Sequence, residues 1–261
     1  MPVDTATGAC IVTALMDGVP ARMMLDTGAE RTIVTAAAVV RRRMRLDEWV
    51  GTAMRGAGGR LDEHQNAMVN RLSLGDTPLL QRGTRDGLSL PVTSLDLGGL
   101  DGLIGGDVLR RFALDVDMPA ARMALLATAA PGGSVVALQL LRRALPLAPV
   151  RLDGVSLVAL VDTGAAVSLV NARGMFKLGL SGSARAADQV VSALGIGGSF
   201  SARRHRFETL MLGDRRFQAP ALLVVATPEP AFDLVLGMDL LGRQRFMLSY
   251  PEQRLRMMPD A

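Results

Sequence analysis

The chain carries one pattern twice: Met24-Leu25-Asp26-Thr27-Gly28-Ala29 and Leu160-Val161-Asp162-Thr163-Gly164-Ala165, with the aspartates 136 positions apart. Each copy is an apolar strand that runs into Asp-Thr-Gly-Ala. One such tetrapeptide reads as a turn. Two in matching contexts, one in each half of a 261-residue chain, predict a site assembled from two pseudo-symmetric lobes with one carboxylate from each.

Further blocks recur in the same order. Upstream, Asp17-Gly18-Val19 matches Asp153-Gly154-Val155 at the same offset. Downstream, Gly56-Ala57-Gly58-Gly59 pairs with Gly195-Ile196-Gly197-Gly198, and Leu72-Ser73-Leu74-Gly75-Asp76 with Leu210-Met211-Leu212-Gly213-Asp214. Near each end, Leu103-Ile104-Gly105-Gly106-Asp107 pairs with Val235-Leu236-Gly237-Met238-Asp239, followed by Arg111-Phe112 and Arg245-Phe246. Conserved order with drifting offsets is the mark of a duplicated unit with loop insertions. The expected lobes are residues 1–130 and 135–261, joined by a turn at 131–134, each long enough to bury a core.

Hydrophobic residues make up 49% of the chain but aromatic residues only 3%, so the cores must rest on Val, Leu, Ala and Met. The net charge is +4, yet the basic runs (Arg41-Arg42-Arg43, Arg203-Arg204, Arg215-Arg216) are short, scattered and free of interleaved aromatics. They read as solvated surface, and no nucleic-acid partner is expected. Cys10 is alone, which excludes an intrachain disulfide and a cysteine metal cluster. With only His64 and His205, both expected at the surface, no metal and no cofactor are expected. The uncharged stretch Met123 to Leu141 is long enough to span a bilayer, but Pro131-Gly132-Gly133-Ser134 breaks it into two strands that suit pairing between lobes, so no membrane span is expected. No signal segment is visible, which makes the chain as given cytoplasmic, or periplasmic if a leader precedes it.

Runs of Val, Ile, Thr and Leu bounded by Gly, Pro, Asp or Asn read as strands throughout. Ile11 to Leu15 and Arg22 to Leu25 flank the Asp17-Gly18 turn, a hairpin signal. After each Asp-Thr-Gly-Ala an apolar strand (Thr32 to Val34, Val167 to Val170) leads to a helix start, with Thr35 capping Ala36 to Arg45 and Asn171 capping a shorter helix that Gly179 ends. Short helical turns are expected after Asp107 and Asp239, with these residues as caps. The fold class is therefore mainly β, two pseudo-symmetric β-barrel lobes with few short helices.

The paired loops have a chemical logic. Gly28 and Gly164 lack Cβ, so their backbone can turn sharply and approach the opposite lobe. Thr27 and Thr163 offer hydroxyls that can donate across the interface and lock the loops together. Asp26 and Asp162 would then sit in contact, share one proton and titrate as a unit. The ionised member can take a proton from water while the protonated member donates to a carbonyl oxygen. The glycine clusters 56–59 and 195–198 fit hairpin tips able to close over an extended peptide.

On these motifs the chain resembles the retropepsin-like aspartic proteases, the clan of retroviral proteases and pepsins, in the form of a single-chain pseudo-dimer familiar from bacteria. Asp-Thr-Gly-Ala is similar to the retroviral form, Gly195-Ile196-Gly197-Gly198 to the retroviral flap tip, and Val235 to Asp239 to the block before the family's C-terminal helix. The resemblance implies that Asp26 and Asp162 are the catalytic dyad, that Thr27 and Thr163 grip across the lobes, and that Gly28, Ala29, Gly164 and Ala165 support the loops beside an extended polypeptide substrate. It departs at Glu30 and Ala166, where retroviral enzymes keep an acid, and at Gly106 and Met238, where they keep its arginine. That ion pair is expected to be absent. The flap tyrosine of pepsins has no equivalent. Intact Asp-Thr-Gly in both halves favours an aspartic endopeptidase, active as a monomer, over a silent peptide-binding module or a protease that acts only on itself.

Overall fold

The computed structural model describes residues 1–4, 8–51, 54–56, 59–61, 64–81, 88–180, 188–195, 198–229 and 231–259. The N-terminal half contains β1 (Ile11–Met16), β2 (Val19–Leu25), β3 (Ile33–Thr35), α1 (Ala36–Arg42), β4 (Leu46–Gly51), β5 (Met54–Gly56), β6 (Gly59–Leu61), β7 (His64–Val69), β8 (Arg71–Leu74), β9 (Thr77–Gln81), β10 (Leu88–Thr93), β11 (Gly102–Ile104) and α2 (Gly106–Leu109). Next come β12 (Ala113–Asp117), β13 (Arg122–Leu126) and β14 (Ser134–Ala137). The C-terminal half contains β15 (Gln139–Leu141), β16 (Leu145–Leu152), β17 (Val155–Val161), β18 (Leu169–Val170), α3 (Ala172–Lys177), β19 (Gln189–Gly195), β20 (Gly198–Arg206), β21 (Thr209–Leu212), β22 (Arg215–Gln218), β23 (Ala221–Val224), β24 (Leu234–Leu236), α4 (Met238–Leu241), β25 (Phe246–Ser249) and β26 (Arg254–Met257).

The two halves are built alike. One large sheet runs β4-β7-β10-β3-β11-β2-β1-β8-β9, the other β19-β20-β23-β18-β24-β17-β16-β21-β22. Read position by position, the orders are the same, and each curls into a half-barrel. In both, the strand that ends at the aspartate pairs antiparallel with its hairpin partner and parallel with the strand before the Gly-containing block, β2 with β11 and β17 with β24. The hairpin turns also match. Asp17 and Gly18 have φ of 51° and 83°, Asp153 and Gly154 47° and 81°, the left-handed pair that a two-residue hairpin turn demands. Each of these aspartates also accepts two backbone N–H groups of a neighbouring strand, from Asn70 and Arg71 and from Glu208 and Thr209.

A third sheet, ordered β13-β12-β25-β26-β14, joins the lobes. The joint is the antiparallel β12–β25 ladder, from Ala113 opposite Ser249 to Val116 opposite Phe246. The uncharged strands that were expected to pair between lobes instead occupy the outer edges of this sheet, β13 on β12 and β14 on β26. The inner ladder is taken by β12 and β25, the strands that follow α2 and α4. One core cluster runs through both lobes and this sheet, including Leu25, Leu114, Val161, Leu236, Phe246 and Leu248.

Local details depart from expectation where tertiary contacts intervene. Thr35 does cap α1, its side chain accepting from Ala38 N, but the helix stops at Arg42 because Arg43 turns left-handed at φ 51°. Asn171 caps α3 through Gly174 N, and Gly179 follows at φ 64°. The caps of α2 and α4 are Gly105 and Gly237, so Asp107 and Asp239 lie inside the first turn. The run Arg41-Arg42-Arg43 is not uniformly solvated: Arg41 and Arg42 pair with buried Asp101 at 2.6 and 2.9 Å. The second lobe repeats the device, with Arg173 and Lys177 of α3 at 3.0 and 2.7 Å from buried Asp233. His205, expected at the surface, is half-buried against Asp188 (2.9 Å) and stacks edge-on with Phe207.

Candidate active site

Asp26 and Asp162 follow directly on β2 and β17, and their backbone N–H groups donate to Ile104 O and Leu236 O at 3.0 Å each. The strands therefore carry both residues to the same level at the lobe interface. Thr27 N donates to Thr163 Oγ1 (3.1 Å) and Thr163 N to Thr27 Oγ1 (3.0 Å). Each hydroxyl in turn donates across the interface, Thr27 to Val161 O (2.7 Å) and Thr163 to Leu25 O (2.6 Å). Both threonines are fully buried, so all four bonds are shielded from water.

The glycines next in the chain leave room for the carboxylates. A Cβ on Gly28 would lie 2.2 Å from Asp162 Oδ2, and one on Gly164 2.4 Å from Asp26 Cγ. Each loop thus backs onto the opposite aspartate, and no residue with a side chain fits either position. Gly28 N donates to Asp26 Oδ1 at 2.9 Å, Gly164 N and Ala165 N to Asp162 Oδ1 at 2.8 and 3.1 Å. The two carboxyl groups are hydrogen-bonded to each other. Burial pushes both above the ordinary carboxylate range, and the charge of Asp162 together with their mutual hydrogen bond drives Asp26 well above it. Two carboxyls in contact in a buried site keep one proton between them.

A second pseudo-symmetric network supports the loops. Thr32 donates N–H and hydroxyl to Asp107 Oδ1 (2.9 and 2.8 Å) and accepts from Gly105 N; Ser168 does the same with Asp239 Oδ1 (2.9 and 2.6 Å) and Gly237 N. These aspartates tie the segment after each Asp-Thr-Gly-Ala to the short helix. The acid–arginine pair expected to be missing has a substitute on one side: Arg142 of the second half reaches Glu30 at 2.7 Å. Gly106 replaces the arginine because Ala144 O packs where its Cβ would stand, at 2.6 Å. Thr32 and Ser168 share the offset of the dyad, a signal of this network already present in the repeat.

The glycine clusters lie on equivalent hairpins. Gly195 pairs with Gly198 across β19–β20, and Gly56 with Gly59 across β5–β6. Ala57, Gly58, Ile196 and Gly197 lie outside the described residues. In the first half the hairpin is longer: β5–β6 forms a two-stranded extension beyond the β4–β7 pair. Among the described residues no cluster of His, Cys, Asp and Glu is placed to hold a metal. Cys10 is buried and its thiol is pushed up to about 12 by that burial, so it offers no nucleophile. No helix among the described residues is long and apolar enough to cross a membrane.

A family model described as aspartyl protease matches the chain twice, over residues 12–108 and 148–240. Of solved structures, the aspartic proteinase from Irpex lacteus is similar over 98% of this chain and 96% of its own, with a TM-score of 0.58 and 12% identity. A retropepsin-like aspartic protease from Rickettsia conorii is similar over 47% of this chain and 87% of its own, with a TM-score of 0.37 and 20% identity. None of the curated proteins compared with the chain matches it.

Proposed function

The chain belongs to the aspartyl protease family, and from that premise we propose that it is an endopeptidase that hydrolyses peptide bonds with water activated between Asp26 and Asp162. The observation that carries this is the reciprocal Thr27–Thr163 lock, which holds one carboxyl from each lobe, buried Asp26 and half-buried Asp162, in hydrogen-bonded contact. The ionised carboxylate accepts a proton from water, whose oxygen attacks the scissile carbonyl carbon. The protonated carboxyl gives its proton to the carbonyl oxygen. Collapse of the resulting diol breaks the C–N bond, the nitrogen leaves with a proton, and one proton again remains on the dyad.

The substrate is a polypeptide bound in extended form, with Gly28, Ala29, Gly164 and Ala165 along its backbone. The hairpins ending at Gly56–Gly59 and Gly195–Gly198 close over it. The functional unit is one chain, residues 1–130 supplying Asp26 and 135–261 supplying Asp162. A peptide library incubated with the protein from about pH 3 to 8, with cuts mapped by mass spectrometry, tests the proposal. Cleavage that a pepstatin-type transition-state mimic blocks is the expected result. Peptide binding without any cut would replace it with a binding role.

A further inference from the structure

The repeat is broken in charge right beside the dyad. Glu30 and Arg31 follow the first Asp-Thr-Gly-Ala, whereas Ala166 and Val167 follow the second at the same offset of 136. Both corners are built alike, by the entry of one half docking on the loop of the other. At the second corner a Cβ on Gly8 would lie 3.5 Å from Ala166 Cβ. At the first, the turn Arg142-Arg143-Ala144 between β15 and β16 docks. Ala144 O fills the space beside Gly106, whose N–H donates to Ala29 O at 2.8 Å, and Arg142 Nη1 reaches Glu30 Oε1 at 2.7 Å. Arg142 and Arg143 have φ of 51° and 60°, a left-handed pair that arginine rarely adopts. Backbone held in such regions clusters at functional sites. Counting back by 136, Ala6 and Thr7 stand in the sequence where these two arginines do.

The two corners therefore differ in polarity. Arg31, Arg142 and Arg143 are exposed, and the one acid beside them, Glu30, is engaged by Arg142. Arg31 and Arg143 form no ion pair among the described residues, which leaves two positive charges uncompensated there. At the second corner Ala166 and Val167 carry no charge, Val167 is 41% exposed, and Arg243 beyond α4 turns back to Asp239 O at 2.8 Å. The reciprocal threonine bonds relate the two loops by a pseudo-two-fold between the aspartates, so the corners lie on opposite sides of the dyad. Glu30 is four residues beyond Asp26, which places its corner within about 14 Å of that aspartate. An extended peptide spans that distance in about four residues.

We propose that the cleft is polarised and selects peptides with an acidic side chain on one side of the scissile bond only, Arg31 and Arg143 being the residues that read it. Guanidinium groups match carboxylates in geometry and charge, and the strained turn, pinned by Glu30 and Gly106, presents them beside the catalytic loop. The inference rests on the cleft assigned under the proposed function, but its first test needs no turnover. A random decapeptide library is passed over the immobilised Asp26→Asn/Asp162→Asn double variant and the retained peptides are sequenced. Asp and Glu should be enriched about threefold or more at one end of the retained pattern. Adding Arg31→Gln/Arg143→Gln should erase the enrichment, while Arg151→Gln/Arg216→Gln, which removes the same net charge from β16 and β22, should keep it. No enrichment, enrichment at both ends, or enrichment that survives the loss of Arg31 and Arg143 overturns the proposal. The second test uses a peptide that the parent cuts. Changing Glu to Lys at the acidic end should lower kcat/KM about threefold or more, and Glu30→Gln, which releases Arg142, should widen that difference. Cutting without an acidic preference overturns this proposal and leaves the endopeptidase reading intact; selective retention without any cut sinks the endopeptidase reading alone.

Discussion

Asp26 is 5% exposed and Thr27 and Thr163 are fully buried, so changes at single atoms of this site have nowhere to relax. Gly28→Ala would place a methyl 2.2 Å from Asp162 Oδ2. Either the loop or the carboxylate must move, and kcat/KM should fall about 100-fold or more, measured on whichever peptide the parent cuts best. Under the proposed mechanism each lobe supplies half of one acid–base pair, so Asp26→Asn and Asp162→Asn should each abolish cleavage with the fold intact. Substantial activity in either would remove the dyad assignment. The same substitution has a stability signature. Both carboxyls have folded values raised by burial, so the folded protein keeps a proton that the unfolded chain releases near about pH 4. Their contribution to stability is complete below that pH and is lost as pH rises through the raised values. Asp26→Asn, which cannot ionise, should therefore melt higher than the parent at pH 7 and show no such gain at pH 4. The rate itself should be bell-shaped, peaking on the acid side of neutrality, because the proposed mechanism needs the pair singly charged.

At the scale of elements, helices α1 and α3 are too short to persist alone and are held to their sheets by Asp101 and Asp233. Asp101 also accepts Arg22 N (2.9 Å) and Asp233 accepts Val158 N (2.8 Å), and the two donors keep the offset of the dyad. Burial raises the Asp101 carboxyl, but hydrogen bonds from Arg42, Arg41 and Arg22 N outweigh it and hold it at about 2. The sign is opposite to that of the dyad: this stabilisation is full above about pH 4 and drains away as pH falls toward 2. Asp101→Asn should cost about 2–3 kcal/mol near neutrality, below the range for a wholly buried pair because Arg41 is half exposed, and the cost should shrink in acid. Urea melts at pH 7 and pH 3 would show it. The β5–β6 extension belongs to no other sheet. Replacing residues 54–61 with a short turn should leave the melting temperature nearly unchanged while kcat/KM drops more than about tenfold. A loss of stability equal to the loss of activity would return the extension to a structural role.

Across the whole molecule, the lobes are joined by the β12–β25 ladder, reinforced by Arg245 on Asp115 at 2.8 and 2.7 Å. The entry to each half also packs on the other half's loop: Cys10 N donates to Thr163 O, and Arg142 meets Glu30. Because both aspartates are on one chain, assembly of the site is intramolecular. Specific activity should stay constant from micromolar to low nanomolar enzyme. A fall on dilution that tracks a dissociating dimer by light scattering would show that a second chain completes the site.

Much of this was written in short stretches of the sequence. The Asp-Gly turns, the Thr35 and Asn171 caps and the glycines after each aspartate act over a few residues, where backbone sterics decide the outcome, and their repetition disclosed two lobes. The joining ladder was not legible, because β13, β14, β12 and β25 are all apolar enough to pair and only the place where each leaves its lobe selects the partners. Nor were the roles of Asp101 and Asp233 or the half-burial of His205: a charge is read as solvated until a fold brings its partner from far along the chain. The sequence by itself determined which atoms carry charge and where the chain must turn; the tertiary structure decided which of those charges lose their water and which partners they meet, and the balance between the two is what shifts them, up at the dyad and down at Asp101.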